Sequence, residues 1–219
     1  MNLSETWQTW LKVTTSPNEA TFDAERQKPN ATLAMALIWM VIYAVIATVI
    51  GFVASLVFVG AVQSALPQIL AQADLPPETK AQVEQIMNSG LFVGVGAAKF
   101  SAILTIPLFF LLITGVYHLI AKLLGGAGSF GRFAYLNAAF SAPLGILSSL
   151  IIVVPFVSCV AILIPFYEIF LTYLAVKTEH QLTSGKALIT VLLPIFAMLA
   201  AGCCLLFGVI GLLASIRSN

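Results

Sequence analysis

The chain has 219 residues, of which 60% are hydrophobic and only 9% are charged. A soluble domain averages about 25% charged residues, so this chain has too few charges to cover a water-facing surface, and lipid must act as solvent for the excess apolar surface. A net charge of +1 excludes a basic face for nucleic acid, and three cysteines in apolar runs, Cys159, Cys203 and Cys204, argue against a disulfide framework or a zinc site.

The first 30 residues carry Glu5, Lys12, Glu19, Asp23, Glu25, Arg26 and Lys28 and lack the apolar core of a cleavable signal peptide. Residues 1–32 are expected to be a cytoplasmic segment whose first 13 residues form an interfacial amphipathic helix. Ser4 is its expected N-cap, and Leu3, Trp7, Trp10, Leu11 and Val13 share its apolar face. Pro17 ends that helix, and residues 18–30 are a polar lead-in.

Residues 33–214 are expected to form a five-span membrane domain, with spans at about 33–62, 98–121, 134–154, 159–177 and 187–214. Residues 63–97 form the outer loop, where Pro76-Pro77-Glu78 predicts a short amphipathic helix resting on the membrane. Lys99 is placed to snorkel to headgroups, and Pro107 to bend the second span. Residues 134–176 contain a single ionisable Asp, Glu, Lys, Arg or His, namely Glu168. A helix of that length would measure about 65 Å, twice the bilayer, so the stretch must be two spans with a turn near 155–159.

Lys and Arg flank the spans asymmetrically. Arg26, Lys28, Lys122, Arg132, Lys177 and Lys186 fall on one side, and Lys80, Lys99 and Arg217 on the other. The positive-inside rule then predicts the N-terminus inside and the C-terminus outside.

Three motifs lie in order along these elements. His118 to Phe130 reads HLIAKLLGGAGSF, Tyr135 to Pro143 ends in Ser-Ala-Pro, and Glu179 to Leu188 reads EHQLTSGKAL. Together with Trp10, Pro17 and Phe22 they resemble the Yip1 domain family, a bacterial-type member of it, over nearly the whole chain. The resemblance implies an all-α polytopic membrane protein of five transmembrane helices in a bacterial inner membrane, with a cytosolic N-terminus. Eukaryotic members of the family are linked to vesicle traffic and to Rab-type GTPases. The long acidic-aromatic N-terminal region of those members has no counterpart here, so the resemblance gives no support to GTPase binding.

The candidate sites each carry two readings. Glu168, about 13 Å along a helix from Lys177, is a proton or cation site, or a protonated acid bonded to a neighbouring helix. His118, with Thr114 one turn away, is expected to face Glu168 across the second and fourth spans, or else to bond a backbone carbonyl. The turn with Gly125, Gly126, Gly128 and Ser129, flanked by Lys122 and Arg132, is either an anion nest for a lipid headgroup or a tight turn that needs glycine for close packing. His180 and Lys186 form a cytoplasmic motif beside Glu179. No metal site, cofactor or catalytic constellation is expected. The expected function is a non-enzymatic membrane organiser or trafficking-type scaffold that contacts the lipid bilayer and binds other membrane proteins or itself. The alternative is a transporter, channel or lipid-handling protein using Glu168 and His118.

Overall fold

The structure is a computed structural model that describes residues 2–73, 75–88, 99–154 and 157–218. It is 88% helical, with no strand among the described residues. Among the described residues, eight α-helices follow in chain order: α1 (Leu3–Thr15), α2 (Glu19–Arg26), α3 (Leu33–Gln72), α4 (Pro77–Asn88), α5 (Ala102–Leu123), α6 (Phe130–Val153), α7 (Leu163–His180) and α8 (Ser184–Ser218). Short 3₁₀ turns, Lys99–Ser101 and Val157–Ile162, lead into α5 and α7. Among the described residues, five segments are long and apolar enough to cross a membrane: Leu33–Gln72, Ala102–Leu123, Phe130–Val153, Val157–His180 and Ser184–Gly208.

The N-terminal segment differs from the sequence expectation in two ways. The cap of α1 is Asn2, whose side chain accepts from the Ser4 N–H at 3.1 Å, rather than Ser4 itself. The polar lead-in, for which the sequence predicts no element, contains a second helix. Asn18 caps α2 by accepting from the Thr21 N–H at 2.8 Å, and Glu19 complements the helix dipole in the first turn. The polarity of α2 hides it from a search for apolar periodicity, since Phe22 is its one large buried apolar side chain.

The first span is also longer than expected. It continues to Gln72, 40 residues in all, or about 60 Å of helix. Gln63 and Ser64 mark a change of polarity there, not an end of the helix, because neither residue breaks the backbone pattern. The outer loop thus shrinks, and α4 begins at the proline pair as predicted. The headgroup contact expected of Lys99, and Pro155 at the third-to-fourth turn, lie outside the described side chains and residues.

The α6 helix begins at Phe130, four residues before the expected start, because Ser129 caps it by accepting from the Arg132 N–H at 3.4 Å. The α7 helix runs three residues past its expected end. Gln181 closes it with a left-handed φ of 53°, and the Leu182 N–H bonds the Lys177 carbonyl at 3.2 Å. Glycine is usual at that position. Here the Gln181 side chain adds a bond to the Thr178 carbonyl at 2.7 Å.

Contacts divide the chain into two units, with the dividing points inside α3, α5, α6 and α7. The first comprises Met1–Ala36, Leu111–Phe140 and Tyr167–Asn219; the second comprises Leu37–Phe110 and Ser141–Phe166. In the first, every residue from Phe133 to Phe140 is buried, and Phe22 of α2 packs against Phe140 with ring centroids 6.3 Å apart. Ala134, Ala138 and Ala139 keep this stretch of α6 slim enough to be surrounded. In the second unit, Gly145 of α6 lies against the Tyr43 ring of α3 with no room for a Cβ, and Phe52 meets Phe100 at 5.4 Å.

Candidate functional site

The first unit joins two motifs that lie about 50 residues apart in sequence. The turn after α5 folds onto the last residues of α7. Gly125 takes a φ of 92°, which glycine alone adopts readily. A Cβ at Gly126 would come within 2.9 Å of the His180 Cβ, and one at Gly128 within 2.6 Å of the Glu179 carbonyl oxygen. The Ala127 N–H donates to the His180 carbonyl at 3.1 Å. Lys186 reaches back from α8 to the Leu124 carbonyl at 2.8 Å, covering an orphan acceptor at the end of α5.

Glu179 is 1% exposed, and a buried carboxylate needs partners. Its Oε1 accepts from the Ser129 N–H at 2.8 Å and from Arg132 Nε at 3.0 Å, and Arg26 of α2 stands 4.0 Å from Oε2. The carboxylate therefore sits at the N-terminus of α6, where the helix dipole favours negative charge. The anion held by the glycine turn is the chain's own. Among its backbone N–H groups, those of Gly125, Gly126, Ala127 and Ser129 all donate to acceptors within the chain.

His118 points at His180, not at Glu168. Its Nδ1 lies 3.3 Å from His180 Nε2. Phe133 flanks both rings at centroid distances of 6.4 and 5.2 Å, and Phe130 stands edge-on to His118. A hydrogen bond between two imidazoles needs one donor nitrogen and one bare acceptor nitrogen, so this contact requires at least one neutral ring.

A second buried carboxylate ties down the N-terminal helices. Glu25, also 1% exposed, accepts from Lys28 Nζ at 2.7 Å and from the Thr9 hydroxyl at 3.2 Å. The Tyr135 hydroxyl of α6 lies beside Glu25 and Thr9. Tyr167 of α7 donates to the Thr14 carbonyl, and Lys177 pairs with Glu19.

The expected residues are thus only partly gathered. Gly125, Gly126, Gly128, Ser129, Arg132, His118, His180 and Lys186 form one assembly. Thr114 is buried one turn from His118, and Lys122 is exposed. Glu168 stands apart, half-buried, and its carboxyl has no hydrogen bond or ion pair among the described residues. Sequence reading missed Glu25 and Arg26, and noted Glu179 only as a neighbour of His180. No local signal marks them, because their partners lie across the fold. Among the described residues no group of three or more His, Cys, Asp or Glu side chains is placed to hold a metal ion. What the assembly supplies is a network of charge-assisted hydrogen bonds that fixes helix ends.

The family model of the Yip1 domain matches residues 11–206, a range that contains this whole assembly. No curated protein and no solved structure matches the chain significantly.

Proposed function

The chain belongs to the Yip1 domain family, and on that premise we propose that it is a non-enzymatic membrane organiser that works by helix association within the bilayer, chiefly with copies of itself. It is an integral, multi-pass membrane protein. The reading places it in an inner membrane with its N-terminus in the cytoplasm; the Lys and Arg asymmetry supports that orientation.

One observation carries the reading. On α8, Ala197, Ala201, Cys204 and Gly208 recur every three or four residues, the spacing of a left-handed helix pair, and all four are exposed. Among the described residues, nothing outside the helix's own neighbouring backbone lies within 4 Å of a Cβ added at Gly202 or Gly208, nor at Gly60 of α3. Small residues let helix backbones approach closely in lipid, and at these positions no other helix makes the approach among the described residues. In their apolar windows the first and fifth spans bury 6% and 11% of residues, against 39% and 33% in the third and fourth.

The test is in-membrane cross-linking through Cys204, with Cys159 and Cys203 changed to Ser. Oxidant should yield a disulfide-linked dimer, and Ala201→Leu with Gly208→Leu should abolish it. A chain that stays monomeric under oxidant, with Cys204 still reactive to maleimide, would overturn the self-association reading. A transport reading is favoured by one observation only, the carboxyl of Glu168 in an apolar span with no hydrogen bond or ion pair among the described residues.

A further inference from the structure

We infer that α1 is seated in the membrane surface on the N-terminal side of the bilayer, with Leu3, Trp7 and Leu11 against lipid acyl chains. The inference does not depend on the self-association reading. It rests on how α1 divides its circumference. At about 100° per residue, the helix presents three sectors. Thr6, Thr9, Trp10 and Val13 form one, and all are buried against the protein. Leu3, Trp7 and Leu11 follow at intervals of four residues and are 73%, 59% and 42% exposed. Glu5, Gln8, Lys12 and Thr15 complete the circle and are exposed, charged or polar. A helix surrounded by water needs two sectors, one buried and one polar. A third, apolar and uncovered, suits a helix with protein on one side, lipid on another and water on the last.

The depth of α1 points the same way. Arg132 and Lys177 mark the charged ends of α6 and α7. Phe22 of the hairpin packs on Phe140, eight residues or about 12 Å along α6 from Arg132. The Thr14 carbonyl at the end of α1 receives the Tyr167 hydroxyl, ten residues or about 15 Å along α7 from Lys177. The helices α1 and α2 therefore lie alongside stretches of helix that belong to the apolar slab, and α1 leaves Leu3, Trp7 and Leu11 exposed there. Trp7 suits this boundary, since its ring prefers the interface, and Lys12, half-exposed on the adjoining polar sector, is placed to meet headgroups.

The experiment compares wild type with Trp7→Phe in bilayers of ordinary and of chain-brominated phosphatidylcholine. The tryptophan signal lost in Trp7→Phe is the Trp7 component. That component should lose most of its intensity in the brominated bilayer and resist aqueous iodide. Quenching by iodide without quenching by bromine would place Trp7 in water and overturn the inference. Resistance to both would place it under another protein surface and overturn it equally. Phenylalanine at this exposed position leaves the buried sector of α1 intact, so matching thermal unfolding of the two proteins verifies that folding is not the cause.

Discussion

The Glu179 carboxylate lies 2.8 Å from the Ser129 N–H, so the last turn of the fourth span neutralises the first turn of the third. Arg132 completes the arrangement from the same helix end. Glu179→Gln removes the charge-assisted character of both bonds and should cost about 1.5–3 kcal/mol. Arg132 is 44% exposed, and its own loss is softened by solvent. A double-mutant cycle with Arg132→Gln, read by thermal unfolding in nanodiscs, should show clear non-additivity. Additive losses would mean that the two side chains act independently.

The glycine turn makes a sharper prediction. Gly128→Ala would press a methyl into the Glu179 backbone and Gly126→Ala one into His180. Each should destabilise by about 1–3 kcal/mol, as overpacking does. Gly185→Ala in the first turn of α8 meets nothing within 4 Å and should be neutral or stabilising by up to about 1 kcal/mol. Melting temperatures of the three variants decide it, and equal effects at all three positions would contradict the packing.

In the second unit, Gly145→Ala would collide with the Tyr43 ring. It should destabilise the protein, by about 1–3 kcal/mol. Tyr43→Leu in the same chain should recover part of that loss, since the obstructing ring is gone. A Tyr43→Leu background in which Gly145→Ala costs as much as before would show that the contact is not the cause.

The N-terminal hairpin should detach as a unit. Phe22 is fully buried, and Phe22→Ala should cost about 3–5 kcal/mol of its packing. Glu25→Ala strips Lys28 and Thr9 of their shared acceptor. Both variants should become sensitive to trypsin at Arg26 under conditions in which wild type resists.

Glu168 separates the two functional readings. Under helix association, Glu168→Gln should leave the Cys204 cross-link and the thermal stability unchanged or slightly raised, because its carboxyl has no cationic partner among the described residues to lose. Liposomes containing wild type should then carry no proton or cation flux. Flux in wild type that disappears in Glu168→Gln would favour transport.

The sequence by itself determined the class of solvent, the five long apolar helices and the family, because composition, apolar run length and ordered motifs are properties of the chain read locally. It also placed α4 from its prolines and located the glycine turn. It did not disclose α2, whose one buried apolar residue leaves no periodic signal, nor the full length of α3, whose polarity changes before its helix ends. Only the tertiary structure decided that His118 meets His180 instead of Glu168, and that the glycine turn closes on the Glu179 carboxylate. The reason is physical: a buried carboxylate or imidazole is satisfied by whichever donors the packed helices bring within about 3 Å, and those donors lie some 50–60 residues away along the chain.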